Sequence, residues 1–384
     1  MTKKTLLISE IFPPTNGGSG RWFWELYSRL SRSEYIIAAG QAVFDEAFDK
    51  THDLNVTRVN LTSPSWGIKS LSGITFYGRV FNNIRKLIKQ HDVTTIHCGR
   101  CIPEGFIGYL FKKTFNIPYI CFIHGEDVEA AATSRELSWI VRKVLSNAST
   151  LICNSQNTAN LIRNNWDANP DITEILNPGC DTDRFIPAEQ NDDIKESLGW
   201  KGKRVVLTVG RLQKRKGQDM LIRALPEIKK SIPDVLYAII GGGSEKQELE
   251  VLTQKLGLED NVLFMSEISD EEMIQAYQQC DVFALPNRTY QQDIEGFGMV
   301  LVEAQACEKP VIAGDSGGTA ETMVIGKTGF IIDCTQPEPI ALKLTELLQN
   351  PEKCEEIGAK ARKHVEYSLD WKVHTEKAKS IFNI

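Results

Sequence analysis

Short apolar runs bounded by turn residues alternate with stretches of helical periodicity along the whole chain, and this alternation is what most limits its fold. A first series of runs covers residues 5–9, 35–39, 94–97, 119–123 and 150–153. A second covers residues 204–209, 235–240, 262–265, 282–285, 310–313 and 330–332. Helical stretches fill the intervals at 21–30, 77–90, 218–231, 245–256, 270–279, 298–307 and 339–349, and a last one lies around 371–382. Buried strands separated by helices indicate parallel sheets with helices on both faces, because parallel neighbours need a crossover connection between them.

Two such series in 384 residues imply two α/β domains of ordinary size, each Rossmann-like and each binding ligands at the carboxyl ends of its strands. The turn-rich, polar segment from Asn177-Pro178-Gly179-Cys180 to about Gly199 is the expected joint. The expected domains are residues 1–185, with a C-terminal helix about 368–384 packing back onto them, and residues 186–367.

Hydrophobic residues make up 42% and charged residues 24%, which excludes a disordered or fibrous chain. No apolar run is long enough to span a bilayer, and the apolar start at Thr5-Leu6-Leu7-Ile8 is too short for a signal peptide. Nine scattered cysteines argue against a disulfide framework and for a reducing cytoplasm. Residues 1–185 hold 20 basic and 18 acidic side chains, and residues 186–384 hold 24 and 32, giving nets of +2 and −8. An acidic second half argues against nucleic acid as the main partner, while a slightly basic first half permits weak attraction to an anionic membrane surface.

The densest chemistry lies in Glu295-Gly296-Phe297-Gly298-Met299-Val300-Leu301-Val302-Glu303. A carboxylate precedes a Gly-x-Gly turn that follows a buried strand, and a second stands eight residues on, inside a helix. Glycines let the backbone approach a ligand, the helix start offers N–H groups to negative charge, and two acids can grip hydroxyls. A strand–loop–helix joint with solvated acids has the same pattern. In Val209-Gly210-Arg211-Leu212-Gln213-Lys214-Arg215-Lys216-Gly217, Arg211 and Lys216 flank a strand end and suit a diphosphate, although a basic surface loop reads alike.

Phe12-Pro13-Pro14-Thr15-Asn16-Gly17-Gly18-Ser19-Gly20 follows the first strand as an anion cradle or a plain glycine turn. It lacks the third glycine of a dinucleotide fingerprint and the lysine of a Walker loop. His124 ends the strand at 119–123, where α/β active sites collect, with Asp127 close behind. Gly317-Gly318-Thr319-Ala320-Glu321 opens another helix, where Glu321 also fits a capping role.

Taken together, and in this order from Phe12 to Glu321, these segments resemble the retaining nucleotide-sugar glycosyltransferases of family 4, with their Glu-x7-Glu motif and GT-B fold. The stretch Gly210 to Glu321 is similar to the branch containing bacterial phosphatidylinositol mannosyltransferases and polysaccharide glucosyl- or mannosyltransferases. The resemblance implies two Rossmann-like domains facing across a cleft, the first binding acceptor and the second donor. It implies that Arg211 and Lys216 clamp the donor diphosphate, that Glu295 and the amides of Phe297, Gly298 and Met299 hold the transferred sugar, and that Glu303 holds the ribose. Gly17 and Gly18 border the donor phosphates, and His124 faces the donor sugar, with Asp127 orienting the imidazole or the acceptor. No metal and no other cofactor is implied. The implied partners are a nucleotide-sugar donor, UDP-glucose before GDP-mannose, and a glycan or lipid-linked acceptor for cell-surface polysaccharide or glycolipid synthesis. The implied location is the cytoplasm, with peripheral contact at the inner face of the plasma membrane.

Other readings fit less of the chain. Cys98-Gly99-Arg100-Cys101 is one Cys-x-x-Cys pair without a second, weak for zinc and better read as core thiols. No His-Glu-x-x-His occurs. The rivals that survive are a non-catalytic sugar-nucleotide-binding protein and a GT-B hexosamine epimerase.

Overall fold

The computed structural model describes residues 4–63, 65–266 and 268–383. Contacts divide the chain into two units, one of residues up to Pro178 together with those from His374 onward, the other Gly179–Val373.

The first unit holds strands β1 (Lys4–Ser9), β2 (Tyr35–Gly40), β3 (Val56–Val59), β4 (Val93–Cys98), β5 (Tyr119–Ile123), β6 (Thr150–Cys153) and β7 (Thr173–Ile175). They form a seven-stranded sheet in the order β3-β2-β1-β4-β5-β6-β7, every pairing parallel. The second holds β8 (Arg204–Val209), β9 (Val235–Ile240), β10 (Val262–Met265), β11 (Val282–Leu285), β12 (Val311–Gly314) and β13 (Gly329–Ile332). Its six strands run β10-β9-β8-β11-β12-β13, again parallel throughout. Each sheet therefore reverses its winding beside its first strand, between β1 and β4 and between β8 and β11, and such switch points are where open α/β sheets bind ligands.

The second sheet shows why its strands read as unbroken apolar runs. Val205, Leu207 and Val209 of β8 join Leu236, Ala238 and Ile240 of β9 in one core. The intervening Val206, with Val235, Tyr237 and Ile239, joins a second core on the opposite face. Side chains alternate across the sheet, so a strand covered on both faces must be apolar at every position. Each Val, Leu or Ile among them contributes about 1.5–3 kcal/mol by burial. In the first unit Phe382, near the end of helix Trp371–Phe382, packs its ring 4.4 Å from His97 and 6.3 Å from Phe122.

Two strands escaped the sequence. β3 and β7 are edge strands, Val-Thr-Arg-Val with Val59 alone buried and Thr-Glu-Ile with no buried residue, and so carry no apolar run. The helix expected from residue 77 begins earlier, as Leu71–His91, because Ser70 caps it by accepting the Gly73 N–H at 3.0 Å. The unit boundaries fall at 178/179 and 373/374, not at 185/186 and 367/368. Residues 180–185 are tied into the second unit: Cys180 bridges to Asp370, and the Arg362 guanidinium donates to the carbonyls of Phe185 at 2.5 Å and Thr182 at 2.9 Å. Among the described residues no helix is long and apolar enough to cross a membrane.

Candidate active site

In the second unit, the chain leaving β8 passes Gly210 and Arg211 into a single tight turn, Lys214–Lys216, before helix Gln218–Ser231. Gly217 ends that turn at φ 71°, and a Cβ there would lie 1.8 Å from the Pro286 carbonyl oxygen. Glycine alone fits, and the close approach seats the turn against the chain leaving β11. The Arg288 N–H donating to the Arg215 carbonyl at 2.7 Å fastens the same two segments.

Seated this way, Arg215 and Lys216 turn inward onto Glu295. Lys216 Nζ lies 2.5 Å and Arg215 Nη1 2.7 Å from the same oxygen, Glu295 Oε2. Arg215 Nε reaches Asp293 Oδ1 at 3.0 Å. All three central residues are buried, Arg215 at 5% exposure and Lys216 and Glu295 at 8% each. Arg211, by contrast, is exposed. Burial by itself would raise the Glu295 carboxyl, but the Lys216 and Arg215 charges outweigh it and hold the pKa at about 2. Burial lowers Lys216, assisted by the Arg215 and Arg211 cations and opposed by Glu295. The two partners thus pull opposite ways, and we take the cluster as ionised, since Arg215 and Lys216 face Glu295 and Asp293 in balanced charge.

Beyond Glu295 the chain bends at Gly298, with φ 97°, and opens helix Met299–Ala306 without a side-chain cap. Phe297 is buried and Met299 partly so. Glu303, just over one turn into that helix, is buried, and its Oε2 accepts a hydrogen bond from the Tyr277 hydroxyl at 2.8 Å. The Gly317-Gly318 pair packs on the backbone of Glu295 itself: the Gly318 N–H donates to the Glu295 carbonyl at 2.9 Å. Asn287 ties the same loops, accepting from Gly314 N–H at 3.0 Å and donating to the Ser316 carbonyl at 3.2 Å. A cavity of about 350 Å³ lined by Asn287, Arg288, Asp315 and Asp333 among others lies at the ends of β11, β12 and β13, but Arg211, Lys216 and Glu295 do not line it.

In the first unit, His124 follows β5 and is partly buried, its ring edge-on to Trp22 with centroids 5.5 Å apart. Nε2 donates to the Gly99 carbonyl at 2.7 Å, which leaves Nδ1 the acceptor in the neutral ring. Asp127 does not orient that imidazole. It is buried, and its oxygens accept the backbone N–H groups of His124 and Gly125 at 3.1 Å each and of Cys101 at 2.9 Å. Its work is to hold the β5 exit loop. Gly17 and Gly18 open helix Gly18–Ser28; a side chain at Gly17 would meet Ile11 at 2.8 Å, whereas the space at Gly18 is open. Beside them Glu10 pairs with Arg100, and Arg100 pairs with the buried Glu104 at 3.0 Å.

The sequence reading missed Arg215, Tyr277 and Asn287. Arg215 hid within Lys214-Arg215-Lys216, where Lys214 pairs outward with Glu245 and Glu248 while its neighbours turn inward. Nothing in the local pattern of Tyr277 or Asn287 marks them. Cys98 and Cys101 are free and buried thiols, and burial raises both. Among the described residues no cluster of three or more His, Cys, Asp or Glu side chains could hold a metal.

Comparison with known proteins gives these arrangements a family. Residues 16–184 match the family described as Glycosyltransferase Family 4, and residues 190–364 that described as Glycosyl transferases group 1. The GDP-mannose-dependent alpha-(1-6)-phosphatidylinositol monomannoside mannosyltransferase of Mycolicibacterium smegmatis is 31% identical over 384 residues, spanning 97% of this chain and 96% of its own. The protein of the same name from Mycobacterium tuberculosis H37Rv is 30% identical, with 96% and 95% covered. The crystal structure of Anabaena HepE in complex with UDP-glucose superposes with a TM-score of 0.82 at 20% identity, covering 99% of this chain and 100% of that one. At that identity it speaks for the fold alone. From end to end, in sequence and in its paired parallel sheets, the chain belongs to glycosyltransferase family 4 and has the GT-B fold.

Proposed function

We propose that this glycosyltransferase is a retaining, metal-independent hexosyltransferase acting from a nucleoside-diphosphate sugar onto a hydroxyl of a lipid-linked or glycan acceptor. The observation that carries the reading is the packing of the Glu295–Gly298 turn against the Arg211 to Lys216 loop, at the switch point of the second sheet. One small region thereby offers cations for a diphosphate, a buried ionised carboxylate for sugar hydroxyls, and helix-end amides.

In this reading Arg211 and Lys216 take the charge of the departing diphosphate, helped by amides of Phe297, Gly298 and Met299 that also hold sugar oxygens. Glu295 accepts hydrogen bonds from the transferred hexose, and Glu303, fixed by Tyr277, from the ribose. His124, Gly17 and Gly18 of the first unit serve the sugar and acceptor. The acceptor hydroxyl attacks from the face the nucleotide leaves, and the departing phosphate takes its proton, so configuration is retained. The first unit binds acceptor and the second donor.

For the donor we place GDP-mannose before UDP-glucose, reversing the order expected from the sequence, because both full-length relatives are named for GDP-mannose. The acceptor proposed is of the chemical class in those names, a mannosylated inositol lipid. Leu71 and Ile74, exposed at 78% and 56% on helix Leu71–His91, lie on the same helix as Arg79, Arg85, Lys86 and Lys89 and would allow peripheral contact with an anionic bilayer at the cytoplasmic face.

The test is incubation with GDP-mannose or UDP-glucose and a lipid acceptor extract, in excess chelator, with the product's anomeric configuration read by NMR. Transfer with retention that survives the chelator supports the proposal. Inversion, or activity lost to the chelator and restored by magnesium or manganese, would sink the corresponding part of it. Binding without transfer or hydrolysis would point to the non-catalytic alternative.

A further inference from the structure

We propose that Arg215 is a positioning residue for the donor sugar, keeping the Glu295 carboxylate ionised and aimed while Lys216 is drawn onto the donor diphosphate. This rests on the reading of Lys216 and Glu295 given above.

The geometry gives the two cations different freedom. Both converge on Glu295 Oε2, at 2.5 Å from Lys216 and 2.7 Å from Arg215. Lys216 carries a point charge at the tip of a flexible stem, and its Nζ would lie 3.9 Å from a Cβ at Gly210, beside Arg211 at the end of β8. A diphosphate held by Arg211 and Lys216 competes with Glu295 for that ammonium. Arg215 has no such latitude. Its guanidinium spans Asp293 through Nε and Glu295 through Nη1, and its carbonyl is held by the Arg288 N–H. It is more deeply buried than either partner, and a rigid fork spanning two carboxylates keeps its geometry when a neighbouring charge moves.

Buried Glu295 needs such a permanent partner. Desolvation favours its protonated form, and only the neighbouring cations oppose this. With Lys216 shared, Arg215 is the cation that stays. A carboxylate that protonated or turned away would lose acceptors for sugar hydroxyls without disturbing the nucleotide.

The experiment compares wild type with Arg215→Met and Arg215→Lys, measuring kcat and KM for GDP-mannose between about pH 4.5 and 8 and GDP affinity by calorimetry. Arg215→Met is expected to lose about ten- to hundredfold in kcat/KM, mostly in kcat, with the acid limb of activity moved toward neutral pH. GDP affinity should stay within about twofold, and Arg215→Lys should recover part of the rate. An equal loss of GDP affinity would make Arg215 part of the phosphate site and overturn the inference. So would normal turnover with an unmoved acid limb, which marks a purely structural ion pair. If Arg215→Met does not fold, Asp293→Asn, which unpins one end of the guanidinium, should move the limb the same way by less. An unmoved limb in both Asp293→Asn and Arg215→Lys then overturns it. A wild-type protein that transfers no hexose from any sugar nucleotide removes the functional reading and this inference together, whereas an active wild type with an unmoved limb in the variants removes this one alone.

Discussion

Lys216→Ala and Arg211→Ala separate the chemistry of the cation loop from its architecture. Both are expected to lower turnover by roughly 10²–10³, the scale for removing one donor to developing charge. Their effects on folding should differ. Arg211 is exposed, so its removal should change stability by no more than about 0.5 kcal/mol. Lys216 is buried against Glu295 at 2.5 Å, so its removal takes a charge-assisted hydrogen bond from a desolvated carboxylate. Breaking a buried pair outright costs about 3–5 kcal/mol. Arg215 remains on the same oxygen at 2.7 Å, and the loss should be nearer the value of one charged hydrogen bond, about 1.5–3 kcal/mol. For a unit of this size that is a drop of roughly 3–12 °C in Tm.

The pH dependence follows from Glu295. Its folded pKa, about 2, lies below the ordinary 4.5, so its contribution is complete above about pH 4.5 and is lost as pH falls toward 2. With Lys216 gone the folded pKa climbs toward the ordinary value. The Tm gap between wild type and Lys216→Ala should therefore be widest near neutral pH and close on acidification below 4.5. Scanning calorimetry between about pH 3 and 7.5 measures this. Burial lowers Lys216, so the ammonium is itself held at a cost. A Tm that is unchanged or raised in Lys216→Ala would show that this cost exceeds the value of the pair, and the reasoning above would be wrong.

Glu303→Ala should weaken GDP and donor alike, roughly ten- to hundredfold, while Glu295→Ala should spare free GDP and lower turnover. The opposite pattern in calorimetry would reverse the two assignments. Tyr277→Phe removes the hydroxyl that donates to Glu303 at 2.8 Å, and should reproduce part of the Glu303→Ala loss of GDP affinity with turnover at saturation kept; unchanged affinity would make Tyr277 a core residue only. Leu207→Ala, in the fully buried centre of β8, should cost about 2–5 kcal/mol in urea unfolding, and a loss under about 1 kcal/mol would mean the core there relaxes to fill the space.

What the sequence made legible was whatever leaves a local trace. Strands β8 and β9 announced themselves because both faces are covered, and the Gly-x-Gly turn after Glu295 because a bend at φ 97° favours glycine. β3 and β7, at sheet edges with mixed residues, left no such trace. The site followed the same division. Glu295 and Glu303 could be placed at a strand–helix joint from their spacing, but which side chains hold each carboxylate depends on segments distant in sequence. Glu295 is held from the loop after β8, and Glu303 from helix Asp270–Gln279.

Arg215 shows how far that gap reaches. In sequence it is the middle of three consecutive cations, and a solvated basic loop is the ordinary meaning of such a run. The tight turn ending at Gly217 rotates successive side chains to different sides, sending Lys214 out to Glu245 and Glu248 and Arg215 and Lys216 in to Glu295. That rotation depends on the Gly217–Pro286 contact, which joins residues separated by three helices and three strands. Gly217→Ala should therefore injure the site without touching a single charge. A Cβ 1.8 Å from a carbonyl oxygen must push the loop from β11 and loosen both cations together, lowering turnover at least as much as Lys216→Ala. If Gly217→Ala keeps full activity, the turn is not what aims Arg215 and Lys216, and the link from backbone geometry to charge placement fails at its first step.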